Sequence, residues 1–252
     1  MAKDIKQLFE VYPSQAQATI PVGVRINDMV FANGLAGIDL LTGEPAGDLQ
    51  AQMTKILEHL QWLMEKAGGN MDNVVRCAAY VTTMADREPI YTPWEALYPD
   101  PADRPGLKAL LAELPAGHLV HLDAIGIIGG KRQRIDLPNI TARDPAVKMG
   151  NWFFTSRCHG NDQTTGKIVE GGIEAETRQT FENFSALLKR AGGTEDNILQ
   201  INMFGRDDSY KEIAWKVFEE RFPDPENRPA CHQLVNVVSE SMQISIEMMA
   251  AL

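Results

Sequence analysis

Two short stretches hold most of the reactive side chains in this sequence. Thr155-Ser156-Arg157-Cys158-His159-Gly160 and Ala230-Cys231-His232-Gln233 carry a hydroxyl, a guanidinium, two of the three cysteines and two of the five histidines in 252 residues. Imidazoles and thiols titrate near enough to neutrality to move protons to and from carbon and nitrogen. A guanidinium presents a planar donor fork that matches a carboxylate. Arg157 is therefore expected to bind a carboxylate, the alternative being a surface ion pair. Cys158 and Cys231 admit three readings: small apolar packing, a thiol activated by His159 or His232 as nucleophile or proton donor, or zinc ligands. Neighbouring residues of a strand face opposite ways, so each Cys-His pair offers a pocket one ligand. A metal site would then need Glu247 or another chain, and none is expected.

The elements that position these residues come from a duplication with a period of about 124 residues. Ala67-Gly68-Gly69 recurs as Ala191-Gly192-Gly193, and Asp100-Pro101-Ala102-Asp103-Arg104-Pro105 recurs as Asp224-Pro225-Glu226-Asn227-Arg228-Pro229. Asn27-Asp28-Met29-Val30-Phe31 and Thr42-Gly43-Glu44 have counterparts in Gly150-Asn151-Trp152-Phe153-Phe154 and Thr165-Gly166-Lys167. An apolar stripe at helical spacing (Met53, Ile56, Leu57, Leu60, Leu63, Met64) recurs with Phe181, Phe184, Leu187 and Leu188, and both helices are expected to end at Gly-Gly. Each copy reads as a hairpin (Val22 to Ala32; Ala146 to Thr155), a turn-rich loop, a long helix, an alternating strand, a second helix (Tyr210 to Phe222 in copy two) and two closing strands. The fold class is α/β in the α+β sense: two ββαβαββ units, 1–130 and 131–252, each a sheet with both helices on one face. Gly129 to Arg134, Gly-rich and basic, reads as a linker.

Composition narrows the function. Apolar residues make up 44% and charged residues 23% of the chain, as in globular proteins, and the net charge of −10 gives no basic footprint for nucleic acid. There is no apolar run of membrane-spanning length and no signal-peptide core in Met1 to Glu10. Three cysteines do not form a disulfide framework. A cytoplasmic protein with a small-molecule partner, and with neither nucleic acid nor membrane as partner, is the expectation.

A duplicated chain is its own control: features in both copies are architectural, and polar features in one are functional candidates. Arg104 and Arg228, each before a proline, read as loop anchors. Copy one has Ala32-Asn33-Gly34-Leu35-Ala36-Gly37 and Gly106-Leu107-Lys108-Ala109 where copy two has its reactive stretches. Copy one thus reads as a degenerate site and copy two as the active unit. Thr155-Ser156, Thr42-Gly43-Glu44, both Ala-Gly-Gly segments and Pro229-Ala230 resemble the motifs of the Rid family, also called YjgF, of reactive intermediate deaminases. That resemblance implies a chorismate-mutase-like fold, trimers with sites between units, and hydrolysis of imines or enamines to ketones and ammonia without cofactor. Under it Ser156 matches the family serine, while Cys231 stands at the position of its carboxylate-binding arginine. Ser245 and Glu247 stand at the acidic positions of the last strand, where copy one has His121 and Asp123. Arg143 falls near a family tyrosine and is a second candidate cation, and Trp215 lies near a substrate-contact position. The resemblance extends to the 2-aminomuconate deaminases of aromatic catabolism, whose dicarboxylate substrates would suit the extra arginines. Alternatives kept beside the deaminase are a cysteine-dependent hydrolase or lyase in the same cleft and a non-catalytic ligand-binding protein. A homotrimer of two-unit chains is expected.

Overall fold

The computed structural model describes residues 21–85, 87–140, 143, 146–236, 238 and 241–252, with the backbone of 5–8. The chain folds as two compact units, Met1–Arg132 and Gln133–Leu252. Unit 1 runs β1 (Ile5–Leu8), β2 (Gly23–Ile26), β3 (Met29–Ala36), α1 (Leu49–Lys66), β4 (Val74–Val81), α2 (Glu88–Leu97), β5 (Gly106–Leu111) and β6 (Val120–Ile127). Unit 2 repeats this order: β7 (Gln133–Ile135), β8 (Ala146–Met149), β9 (Trp152–Thr155), α3 (Gly172–Ala191), β10 (Ile198–Gly205), α4 (Lys211–Arg221), β11 (Ala230–Val235) and β12 (Ile244–Ala251). The sheets have equivalent strand orders, β1-β2-β3-β6-β4-β5 and β7-β8-β9-β12-β10-β11. In each, the strands flanking the second helix pair in parallel and the others antiparallel. Each unit is the expected chorismate-mutase-like ββαβαββ unit preceded by one further strand, β1 or β7, on the edge of its sheet. The segment Met1 to Glu10, expected to lack a signal peptide, lies outside the described residues apart from the backbone of β1. No helix among the described residues is long and apolar enough to cross a membrane.

The helical stripes explain why one sheet face is covered. Ile56, Leu60 and Met64 of α1 and Ile90 and Trp94 of α2 share one core with Cys77, Ala79 and Val81 of β4. In unit 2, Phe181, Phe184 and Leu188 of α3 and Ala214 and Phe218 of α4 pack with Ile201 and Met203 of β10 and Ile244, Ile246 and Met248 of β12. Each large apolar side chain withdrawn from water contributes ~1.5–3 kcal/mol, so these interleaved faces hold both helices to the same side. Strand residues two apart share a face, and the intervening ones point to the side that carries no helix. Both long helices stop at glycine in left-handed conformation, Gly68 (φ 87°) and Gly192 (φ 90°). Near each helix start, a Cβ on Gly37 would meet the backbone of Gln52, and one on Gly160 that of Glu176. The loop after the first hairpin can therefore lie directly on the helix in both units.

The stretch read as a linker is structural instead. Gln133–Ile135 forms β7, paired with β8. Arg132 is buried: its Nη1 donates to the Met71 and Val74 carbonyls at 2.9 Å each, its Nε to Asp103, and its guanidinium lies 5.0 Å from the Tyr98 ring centroid. A cation with this many acceptors closes unit 1, and glycine content alone could not reveal it. Arg104 and Arg228 are the expected anchors, donating through Nε to the Tyr98 and Phe222 carbonyls at the ends of α2 and α4.

Candidate functional site

The chemistry-bearing stretch Ser156-Arg157 sits in a bulge. Phe154 pairs with Met249 and Cys158 bridges Ile246, so Thr155, Ser156 and Arg157 face only Met248 and Glu247. One surplus residue re-aims the side chains that follow it. Cys158 shares a face with Ile246 and packs on the helix-side core, whereas Arg157 turns to the open face. There Arg157 Nε donates to Ser245 Oγ at 2.8 Å, and its guanidinium carbon lies 5.0 Å from the Phe204 ring centroid. Register continues the open face across the sheet. Phe204 pairs with Ser245, Asn202 with Glu247, and on the other side Asn202 pairs with His232 and Phe204 with Leu234. Asn202 Nδ2 donates to Glu247 Oε1 at 2.7 Å. Arg157, Ser245, Phe204, Glu247, Asn202 and His232 thus form one strip over three strands and the bulge.

Three expected site residues are placed elsewhere. Cys231 pairs with Ile201, faces the helices and packs on their core, as Cys158 does. Burial pushes both thiols up to about 12; for Cys158, Thr155 pulls the other way and the Glu247 charge adds a smaller push. Neither cysteine shares a face with the histidine beside it, so the activated-thiol role is not the one this geometry supports. Against an ordinary value of 9.0, thiolate is scarcer by about 1,000-fold at neutral pH. Iodoacetamide at pH 7.5 should therefore leave both cysteines of the native protein unmodified until it is unfolded; rapid native alkylation of either would contradict this placement. Trp215 lies on α4, packed edge-to-face on Phe218 at 5.4 Å in the helix layer, away from the open face.

The other expected residues differ in access. Ser156 is half-buried in the bulge, and His232 is exposed. Arg143 is exposed between β7 and β8, its carbonyl accepting from Arg134 at 3.3 Å. Glu247 is 0% exposed, so the carboxylate expected to act directly is sealed within the strip. Its Oε1 is the acceptor for Asn202. His159 is held by α3, where Asn183 Nδ2 donates to its carbonyl at 3.0 Å, and its Nδ1 lies 3.4 Å from the Ile244 carbonyl oxygen. Burial lowers its imidazole to about 4, with Arg157 adding to the effect and the Ile244 bond opposing it. It is neutral at pH 7 and is no proton donor there.

That shift has a consequence for stability. The unfolded chain binds a proton on His159 at an ordinary 6.5, whereas the folded chain refuses it down to about 4. Stability contributed by the neutral ring is full above 6.5 and is lost as pH falls toward 4. Urea midpoints should decline over that window, and His159→Gln should flatten the decline; an unchanged slope in the variant would contradict it.

Unit 1 has other chemistry at the same register positions. Asn33 and Gly34 form its bulge opposite Asp123, with Gly34 N donating to Asp123 Oδ1 at 2.7 Å. Gly34 (φ 65°) stands where unit 2 has Arg157, Ala78 and Tyr80 where it has Asn202 and Phe204, and Lys108 where it has His232. His121, at the Ser245 position, bonds His118 through Nε2 and Nδ1 at 2.8 Å, giving His118 a partner its sequence context did not suggest. Burial, then the neighbouring His118, lowers the His121 imidazole. Gly34 leaves the Arg157 position without a side chain, and a guanidinium on this face, that of Arg76, stands instead on β4 two residues before Ala78. Among the described residues, no group of three or more His, Cys, Asp or Glu is placed to hold a metal.

The comparisons agree with this doubled architecture. A family model described as Endoribonuclease L-PSP matches residues 13–128 and again residues 138–252. The chain belongs to the Endoribonuclease L-PSP family. Relatives in this L-PSP family carry the Rid and RutC names, in line with the sequence motifs. A RutC family protein of Pyrococcus horikoshii is 33% identical over 85 residues, covering 34% of this chain and 66% of the relative. The match thus spans just under two thirds of that relative's length. The 2-iminobutanoate/2-iminopropanoate deaminase of Salmonella typhimurium is 27% identical over 107 residues, covering 42% of this chain and 84% of that enzyme. The crystal structure of RidA from an Antarctic Psychrobacter is 28% identical with a TM-score of 0.44, covering 48% of this chain and 100% of its own.

Sequence reasoning missed Asn202, Phe204, Asn183 and Glu176. Glu176 Oε2 accepts the Gln243 backbone N–H at 2.8 Å, and Gln52 of α1 likewise accepts the Leu119 N–H at 2.8 Å. The available signal was a polar residue on the core stripe of both long helices, at positions one repeat apart.

Proposed function

We propose that this chain is a hydrolytic deaminase of small imines or enamines, working without cofactor on the open face of unit 2. Its substrate carries a carboxylate, as 2-aminomuconate does. The observation that carries this reading is the Arg157 guanidinium, braced across β12 by Ser245 and Phe204. A braced cation on a sheet face supplies a permanent positive charge for a substrate carboxylate. An enamine takes a proton on its β-carbon to become an iminium, and water adds to the carbon bonded to nitrogen. The resulting carbinolamine expels ammonia, leaving a ketone. Arg157 holds the carboxylate, and Ser156 in the adjoining bulge orients the water. His232 accepts the proton of the added water and returns it to the departing nitrogen. The imine deaminase among the relatives supports the reaction class. The charge of −10 favours a small-molecule partner over nucleic acid or membrane. A cytoplasmic homotrimer of two-unit chains is part of the same proposal.

The test is ammonia release from enzymatically generated 2-iminoacids and from 2-aminomuconate, each compared with its carboxylate ester. Release from the acids that falls on esterification is expected. Equal rates on acid and ester would overturn the carboxylate requirement. No release on any of them would favour a ligand-binding protein, a reading in keeping with the sealed Glu247.

A further inference from the structure

Asn202 lies at the centre of the unit 2 strip, 9% exposed, and its amide is oriented by Glu247. The Asn202 amide nitrogen donates to Glu247 Oε1 at 2.7 Å, which turns the amide oxygen away from β12. The amide oxygen is left buried with no hydrogen-bond partner. A buried acceptor without a donor costs about 1–3 kcal/mol, and such deficits are uncommon enough to require a cause. On the neighbouring strand, His232 is the register partner of Asn202. Aligned residues of adjacent strands project to one face about 4.8 Å apart, within reach of an imidazole N–H turned toward the amide. His232 is exposed and therefore free to make that turn.

We propose that Asn202 is a positioning residue that receives a ring N–H of His232 on Oδ1, linking Glu247, Asn202 and His232 in a hydrogen-bonded relay across three strands. The order follows from the donors. Glu247 accepts from the Asn202 nitrogen, and the Asn202 oxygen accepts from the imidazole. One neutral tautomer of His232 is thereby selected, and the lone pair of its other ring nitrogen is turned outward. In the deaminase reading, on which this last consequence rests, that nitrogen takes the proton of the added water and passes it to the leaving ammonia. The hydrogen bond itself is independent of that reading. Unit 1 has Ala78 and Lys108 at these positions and cannot build the relay.

The experiment is nitrogen-15 NMR of the histidine rings in the full chain near neutral pH, with His232→Gln identifying the His232 signals. One neutral tautomer should dominate for His232 in the wild type. Asn202→Ala, the residue unit 1 uses at this position, should return it to the mixture of an unrestrained imidazole. Glu247→Gln does not touch His232 but lets the Asn202 amide flip, so it should relax the preference too; it also preserves side-chain shape if Asn202→Ala fails to fold. A wild-type ring already showing the unrestrained mixture would overturn the relay. So would a single tautomer that survives both substitutions. A selected tautomer without ammonia release would leave the relay standing and count against the deaminase alone.

Discussion

Arg157→Ala should lower kcat/KM for a carboxylate-bearing imine by about 100-fold. Truncating one partner of a buried, hydrogen-bonded charge pair costs ~2–5 kcal/mol, and each 1.4 kcal/mol is tenfold. Here the pair is Arg157 with the carboxylate of the proposed substrate, and Ser245 and Phe204 hold the guanidinium in place for it. Arg157→Lys should recover only part of the loss, because an ammonium cannot keep both the Ser245 bond and the stacking on Phe204 while it binds the substrate. The effect should shrink on an ester substrate, which has no charge to bind. Steady-state kinetics on acid and ester for all three proteins would check this. An equal loss on both substrates would mean that Arg157 supports the fold rather than the substrate.

Arg132→Ala should destabilise unit 1 by ~3 kcal/mol, since each buried acceptor stripped of its donor costs ~1–3 kcal/mol. Arg132 serves the Met71 and Val74 carbonyls, and of these Met71 keeps a second bond from the Tyr98 hydroxyl at 3.0 Å. The lost contact with the Tyr98 ring adds to the cost. Urea titration should show a lower midpoint for the variant with the slope unchanged. A shift below about 1 kcal/mol would mean that water replaces the guanidinium at these carbonyls.

What the sequence shows and hides follows from which signals are local. The duplication, the element order and the Gly-Gly helix ends are written in spacing, and Gly68 and Gly192 take the left-handed conformation that such ends need. The face that each strand residue takes is not local. It depends on the one surplus residue in the Thr155-to-Arg157 bulge, which decides that Cys158 meets Ile246 and Arg157 meets Ser245. Composition singled out the two Cys-His pairs, but alternation cannot say which member faces the site until one residue is anchored. Asn202 reads as one of two polar residues in an apolar strand, and its role comes from Glu247, 45 residues away on β12, and from His232 on β11. Arg132 was hidden for a similar reason, because its acceptors, Met71 and, at the start of β4, Val74, lie 61 and 58 residues away in sequence. Trp215 shows the reverse case: the family resemblance drew it toward the substrate, whereas it packs in the helix layer.

The most direct test is ammonia release from 2-aminomuconate by the wild type, Arg157→Ala and His121→Ala, assayed side by side. The last of these alters unit 1 at the position of Ser245 in unit 2. If the open face of unit 2 carries the reaction, release is lost in Arg157→Ala and kept in His121→Ala. Release kept in Arg157→Ala but lost in His121→Ala would contradict the account and place the chemistry on unit 1.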